Sequence, residues 1–310
     1  MQTAVNQVIY KSSQNIILGI WMKIVSVSLF VAMSSTIKLA SHIPVGELTF
    51  FRSFFGLLPV IFWLACSNEL STAFYTGNIL GHIGRGLFGT FAMFFNFYAL
   101  TLLPLPETIV INYGEPLMLV ILSALILHEK VYFYRWCAVI AGLIGVMIIV
   151  APNLTVFDQT PIDLSLGLGA LSALFGAFLA AVAMVLVRKL VFTEKTTTVV
   201  LYFMITSSVA SLFTLPFGWV IPDLYHLVLL ISAGLFGGVA QIFMTQAYRH
   251  AEASTVAPFE YTSIILGIIS GFIFFGDVPT INTLVGGIIV IASGIFIIFR
   301  EKKMKLQATT

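Results

Sequence analysis

Long apolar runs separated by short polar breaks follow one another along almost the whole chain. Most runs hold about 20 residues, the length at which an α-helix crosses a hydrocarbon layer of roughly 30 Å. Their apolar residues are continuous rather than alternating, which excludes barrel strands and favours helices, whose backbone groups are paired internally. The breaks carry Pro, Asn, Asp, Lys and Arg, as in "APNLTVFDQTPIDLS" between the fifth and sixth runs. The pattern predicts ten transmembrane helices, at Ile16–Ala40, Leu48–Cys66, Ile79–Leu103, Thr108–Leu127, Phe133–Val150, Leu164–Val187, Val199–Trp219, Leu224–Ala247, Ala253–Phe275 and Ile281–Phe299.

The composition agrees with an all-α membrane protein. Of 310 residues, 59% are hydrophobic and only 9% are charged, whereas soluble domains are about 25% charged. The net charge of +2, spread in pairs and short clusters, does not suggest a nucleic-acid partner. Cys66 and Cys137 lack metal-ligand spacing and are predicted to be buried thiols, so neither a metal nor a cofactor is expected.

Basic residues predict the orientation in the membrane. With the N-terminus inside, the inside segments hold nearly all of the Lys and Arg near helix ends, and the outside loops hold only Lys38. Positively charged loops stay cytoplasmic. We therefore expect a multi-pass protein of the inner (cytoplasmic) membrane with both termini in the cytoplasm, comprising an N-terminal segment at 1–15 and a basic tail at 300–310.

The chain also repeats itself. Aligning "SALILHEKVYFYRWCAVIAGLIGVMIIV" with "SGFIFFGDVPTINTLVGGIIVIASGIFII" pairs Glu129 with Asp277, 148 residues apart, each before a glycine-bearing helix. This predicts five-helix units at 16–150 and 164–299, joined by an external linker at 151–163. Because five is odd, the second unit is inverted relative to the first, the design of many secondary transporters.

Several motifs resemble one known family over both halves. They are "FFRSFFGLLPV", "RGLFG", "EPLMLVILSALILHEKV" followed by "RW", and "STVAPFEYTSIILGIISGFIFFGDVP". With them the chain resembles the drug/metabolite transporter superfamily, and within it the EamA-type members with two repeats and ten helices. The family's usual Gly-Glu at the end of the fourth helix reads His128-Glu129 here. The resemblance implies transport of a small organic metabolite, since similar members export amino acids and others take up riboflavin or S-adenosylmethionine.

The stretch "INYGEPLML" places an acid inside the predicted fourth helix. Glu115 falls near the bilayer centre, where a carboxylate is costly unless it has a partner, a hydrated cavity or a proton. Pro116 leaves the carbonyl of Asn112 without its helical donor, and Gly114 gives room for close approach. The group predicts a bent helix that presents a titratable side chain to a cavity. The alternative is a packing kink with Glu115 paired to an arginine.

The second half echoes this motif in "APFEYTS". Pro258 and Glu260 again place a proline and an acid together, and the resemblance implies that the fourth and ninth helices face each other. The alternative for Glu260 is a shallow, hydrated position near the helix end.

Two arginines are the predicted counter-charges. Arg52 and Arg85 lie within the second and third helices. Each could pair with Glu115 or hold a substrate carboxylate or phosphate through its planar fork, or extend to the interface instead. Lys38 and Lys189, at helix ends, are predicted to be interface anchors.

Some polar side chains within the spans are candidates for binding a flat ligand. Tyr98, Tyr113, Tyr261 and Asn112 each carry a hydrogen-bonding atom, and the rings offer faces for stacking. The acidic and aromatic lining favours a zwitterionic or cationic ligand.

The sequence contains no phosphate-binding GxxxxGK[ST], GxSxG or HExxH motif, so ATP-driven transport and hydrolase chemistry are not expected. The leading hypothesis is a gradient-driven transporter of a small organic metabolite with Glu115 as its proton-responsive group, working as a monomer or homodimer. Alternatives are an uptake carrier for S-adenosylmethionine or riboflavin, a membrane enzyme using Glu115 and Glu260 as acid and base, and a receptor without flux.

Overall fold

A computed structural model describes residues 16–126, 133–154, 164–190, 194–250, 259–260 and 262–307. Within these ranges the chain is helical and contains no strand. The helices are α1 (Ile16–Leu39), α2 (Val45–Cys66), α3 (Ile79–Leu102), α4 (Leu105–Asn112), α5 (Gly114–Ile126), α6 (Phe133–Leu154), α7 (Leu164–Leu190), α8 (Thr196–Leu212), α9 (Leu224–His250), α10 (Thr262–Ser270) and α11 (Ile281–Gln307).

The predicted fourth helix is broken in two. It starts earlier than expected, α4 ends at Asn112, and α5 begins again at Gly114. The amide of Tyr113 donates to the carbonyl of Val110 at 3.1 Å, which closes α4 with a tight turn. Pro116 therefore lies in the first turn of α5, where a missing backbone donor costs little because the first four N–H groups of a helix have no internal partner.

The predicted ninth helix is described only in part. Its described part begins at Thr262, and a π-helical turn at Gly271–Phe275 completes it. The predicted start at 253–258, including Pro258, lies outside the described residues, as does Tyr261.

Helices of the two halves pack against each other rather than forming separate bundles. The main helix pairs are α1 with α9, α3 with α7, α2 with α9, α3 with α8, α2 with α8, α4 with α10, and α6 with α11. Three buried apolar clusters result among the described residues. Ile111 of α4 lies in one and Leu105 of α4 lies in another, so α4 joins two of them.

Glycines set the closest helix contacts. A Cβ atom on Gly286 of α11 would lie 2.5 Å from the carbonyl oxygen of Gly145 on α6. A Cβ on Gly267 of α10 would lie 2.4 Å from Ile109 of α4. Larger residues at these positions would push the helices apart.

The outer surface of the bundle is apolar, as expected for a protein surrounded by lipid. Within the described residues, four helices have the length and composition to cross a membrane, at Ile17–Leu39, Val45–Cys66, Ser165–Val187 and Leu224–Ala247. Shorter apolar helices lie at Trp136–Ile149, Thr197–Leu212, Thr262–Phe275 and Ile281–Phe296. The count of ten spans stays a prediction. The prediction of buried thiols is wrong, because Cys66 and Cys137 are exposed on this apolar surface.

Candidate functional site

A buried lysine lies at the centre of the candidate site. Lys23 of α1 is 1% exposed, and its Nζ donates to Oε2 of Glu260 at 2.6 Å. Glu260 precedes α10, and its side chain is 43% exposed. The ion pair therefore joins the first helix of the chain to the start of α10. Sequence reasoning missed Lys23, although a lone lysine within "IWMKIVSV" was a sufficient signal.

The break between α4 and α5 lies directly beside this ion pair. The hydroxyl of Tyr113 donates to the backbone carbonyl of Glu260 at 2.6 Å and also forms a hydrogen bond with the hydroxyl of Ser263. The hydroxyl of Ser263 lies 2.9 Å from the same carbonyl oxygen, so one of the two hydroxyls donates to the carbonyl while the other donates to its neighbouring hydroxyl. These contacts, with the packing of α4 on α10, bring the fourth and ninth predicted helices face to face.

Glu115 lies in the first turn of α5 and is partly buried. It is electrostatically coupled to Glu260, Lys23 and Arg85. The structure does not show the alternative of an ion pair between Glu115 and an arginine, because no hydrogen bond or ion pair joins Glu115 to any described residue. Its carboxylate is thus held beside charged neighbours without a direct partner from the described chain.

Arg52 and Arg85 meet at one phenyl ring. The Cζ atom of Arg52 lies 5.6 Å from the ring centroid of Phe203 on α8, and that of Arg85 lies 3.7 Å from it. Arg52 is 2% exposed, so the alternative that it extends to the interface is wrong. Its Nη1 atom lies 3.4 Å from the sulfur of Met204, which is a weak acceptor. Nε of Arg52 and both Nε and Nη1 of Arg85 are buried with no acceptor in the described structure.

The other predicted site residues are placed less uniformly. Tyr98 is 40% exposed, and its backbone carbonyl accepts the hydroxyl of Thr101. Its side chain is not brought to the charged groups of the site. Oδ1 of Asn112 is buried and finds no partner within the described ranges. A Cβ on Gly114 would meet Met118 at 3.7 Å and Val146 at 3.9 Å, which are ordinary contacts. The expected close approach at Gly114 is therefore not present here.

Lys38 forms a second ion pair at one end of the bundle. Its Nζ donates to Asp277 Oδ2 and to the carbonyl of Leu103, each at 2.8 Å. The same oxygen of Asp277 accepts the backbone N–H of Leu105 at 3.1 Å, where α4 begins. The prediction of an interface anchor is wrong for Lys38, while the exposed Lys189 agrees with it.

A third polar group ties the halves together at the opposite end. Glu194, between α7 and α8, accepts the hydroxyl of Thr76 at 2.8 Å and the backbone N–H of Gly77 at 3.0 Å. His82 Nε2 lies 3.8 Å from its other oxygen. Burial opposes ionisation of Glu194, but these hydrogen bonds outweigh it and lower the pKa of the carboxyl.

Two cavities lie away from these charged groups. One, of about 540 Å³, is a groove on α11 lined by apolar side chains such as Ile291 and Phe296. A smaller one lies between α2, α8 and α9 and includes Gln241. Among the described residues no group of His, Cys, Asp or Glu could hold a metal ion.

An apolar helical bundle with ionisable side chains gathered between its halves defines the class as a multi-pass membrane protein with an internal polar site. The EamA-like transporter family matches this chain twice, at residues 16–151 and 167–300. The chain belongs to that family, and it is a transporter rather than an enzyme.

Similar proteins carry transporter names. The chain is 30% identical over 260 residues to an S-adenosylmethionine uptake transporter of Rickettsia felis, covering 83% of this chain and 84% of that protein. It is 28% identical over 280 residues to a pseudopaline exporter of Pseudomonas aeruginosa, covering 89% and 94%. It is 32% identical over 201 residues to a riboflavin transporter of Vibrio cholerae, covering 64% of each chain.

A solved crystal structure shares the fold. It aligns with 92% of this chain and 98% of its own length, with a TM-score of 0.62 and 19% identity.

Proposed function

We propose that the protein is a gradient-driven secondary transporter that exposes an internal site alternately to the two sides of the membrane. The observation that carries this proposal is the gathering of Lys23, Arg52, Arg85, Glu115 and Glu260 between helices of both halves. Charged groups inside an apolar bundle are costly and typically mark a substrate or ion pathway. The relatives are named as transporters of chemically different compounds, which is consistent with one scaffold whose binding site varies.

The helix pairing supports two inverted five-helix units. If α4 and α5 count as one span, α1 and α7 are the first helices of the two units, and α3 and α9 are the third. The first helix of each unit packs on the third helix of the other, as expected for an approximate two-fold axis between the units. Ten spans with both termini cytoplasmic, in the inner membrane of a bacterium, follow as the proposed topology.

For the cargo, we propose a zwitterionic, amino-acid-like metabolite. The site offers both acids and bases, and the ring of Phe203 lies beside the two guanidinium groups. S-adenosylmethionine is the second candidate, favoured by the relative of that name that matches 83% of this chain. It carries an ammonium, a carboxylate and a flat ring, so it fits the same class.

For the coupling ion, we propose the proton, with Glu115 as the group that binds it. Glu115 has charged neighbours of both signs but no direct partner from the described residues, so its protonation can respond to the occupancy of the site.

Counterflow in proteoliposomes tests the proposed function. Vesicles loaded with unlabelled S-adenosylmethionine, riboflavin or single amino acids should accumulate the matching labelled compound, and a pH gradient should drive net flux. Recovery of a chemically altered product would favour the membrane-enzyme alternative. Absence of counterflow for every compound in a broad metabolite panel would refute a secondary transporter.

A further inference from the structure

Among the residues that the structure describes, the charged groups of the site do not balance. Three side chains carry positive charge, on Lys23, Arg52 and Arg85, whereas the acids are Glu115 and Glu260. The ion pair between Lys23 and Glu260 at 2.6 Å uses one charge of each sign. Two guanidinium groups then remain against one carboxylate. The site therefore has one surplus positive charge, and a proton on Glu115 would raise that surplus to two.

The surplus is concentrated on the two arginines. Their Cζ atoms lie 5.6 Å and 3.7 Å from the centroid of the same Phe203 ring, and their charges act on each other. Two like charges so close together are unfavourable unless an anion lies near them. The phenyl face stabilises a guanidinium only modestly and supplies no strong hydrogen-bond acceptor.

The arginines also have donors to spare. Arg52 is only 2% exposed, and its buried Nε has no acceptor among the described residues. Nε and Nη1 of Arg85 are also buried and have no acceptor there. Buried N–H groups are normally satisfied, so three unsatisfied donors on two neighbouring arginines indicate a missing acceptor. Glycines allow neighbouring helix backbones to pack directly against these donors, since a Cβ on Gly89 would lie 3.2 Å from Nη1 of Arg85 and one on Gly237 would lie 3.1 Å from Nε of Arg52.

We propose that Arg52 and Arg85, which both lie against the ring of Phe203, form the binding site for the carboxylate of the transported solute. This rests on the proposed transport function and adds the chemical group that the cargo must carry. A carboxylate offers two acceptor oxygens in the plane that guanidinium forks match, and its single negative charge equals the surplus of the site. A phosphate dianion would overcompensate the surplus of one that the site has while Glu115 is ionised. The same surplus disfavours a purely cationic solute, which the sequence pattern alone had allowed.

Matched pairs of compounds test this assignment on the purified full-length protein. Each pair is an amino acid and its decarboxylated amine: methionine and its amine, tryptophan and tryptamine, and S-adenosylmethionine and its decarboxylated form. Binding is measured by isothermal titration in detergent, with acetate and inorganic phosphate as competitors. At least one carboxylate-bearing member should bind about tenfold or more tightly than its amine, because charge-assisted hydrogen bonds to a guanidinium are lost in the amine. Acetate should compete better than phosphate.

Variants show whether the arginines cause the preference. Arg52→Gln and Arg85→Gln should each reduce the ratio of affinities to about threefold or less. Arg52→Lys keeps the charge but loses the planar fork, so it should also lose most of the preference, which a pure charge effect would not predict. Lys189→Gln removes an exposed basic residue elsewhere in the chain and should leave the ratio unchanged.

Several results would overturn the assignment. The first is equal affinity of the wild type for both members of every pair, which includes no binding of either. The second is stronger competition by phosphate than by acetate, and the third is an unchanged ratio of affinities in the arginine variants. Flux measurements in proteoliposomes distinguish failure of this assignment from failure of the proposed transport function. A carboxylate preference without flux supports the site and refutes transport, whereas flux without the preference does the reverse.

Discussion

At the residue scale, the two partners of the Lys23–Glu260 ion pair differ in how deeply they are buried. Lys23 is 1% exposed, but the side chain of Glu260 is 43% exposed. A charge that loses its partner in a dry environment costs far more than one that can reach water. The two single substitutions should therefore differ in their effect, even though they break the same contact.

Glu260→Gln should lower the free energy of unfolding by about 3 kcal/mol, because it removes the carboxylate from a buried ammonium. Lys23→Met should cost under about 1 kcal/mol, since Glu260 keeps access to solvent. The double variant should be close to Lys23→Met. Thermal unfolding in detergent measures all three, and equal losses for the two single variants would contradict the burial argument.

Glu115→Gln tests the proposed coupling. Wild-type flux driven by a proton gradient should depend on pH, and the variant should lose most of this dependence because its amide cannot bind a proton. Glu107→Gln is the matched control, since Glu107 is a buried acid on the neighbouring helix α4 that contacts Thr283 instead. A pH profile of Glu115→Gln that matches the wild type would remove Glu115 from the coupling mechanism.

At the element scale, the sequence predicted the helices better than the contacts between them. Uniform apolar runs were enough to locate α1, α2 and α3 within a few residues, because lipid demands a minimum helix length. The break at Tyr113 was anticipated only as a bend, because Pro116 fits both a kinked helix and the first turn of a new one. Lys23 is absent from the sequence-predicted site and the partner of Glu115 stays open there, because ion pairs depend on which helices pack together, and a single sequence does not contain that information.

Glycine contacts supply the prediction that belongs to this scale. Gly286→Ala should lower the free energy of unfolding by about 1–3 kcal/mol, because the new Cβ would lie 2.5 Å from the backbone oxygen of Gly145. Gly287→Ala, on the same helix, meets its nearest neighbour at 3.5 Å and should have little effect. Unfolding in detergent compares them, and equal stability of the two variants would mean that α6 and α11 are less tightly packed than the structure has them.

At the scale of the whole molecule, polar contacts link the two halves at opposite ends of the bundle. Glu194 holds the segment around Thr76 at one end, and Asp277 holds Lys38 at the other. Each contact joins a residue from the first half to one from the second. Relative motion of the halves must therefore break the polar contacts at one of these two ends.

The Glu194 contact should have a distinct pH signature. A lowered pKa in the folded state means that the ionised carboxyl stabilises the protein above the unfolded pKa of about 4.3, and that this contribution disappears as the pH falls through the folded pKa. Glu194→Gln should thus cost about 1 kcal/mol evenly across pH 5–8, with the difference from wild type narrowing below about pH 4. Glu69→Gln, in the loop between α2 and α3 that Glu194 contacts and 38% exposed, should have a smaller effect. A Glu194 effect that grew on acidification would contradict this sign.

One carboxylate at the other end has a further consequence for motion. Oδ2 of Asp277 accepts both the ammonium of Lys38 and the first amide of α4, so the C-terminal end of α1 and the N-terminal end of α4 share a single attachment point. If the Asp277 side chain moves outward, it loses both of these hydrogen bonds at once, and intermediate positions keep neither bond. Separation at that rim is therefore expected to be abrupt, with two discrete arrangements and few states between them.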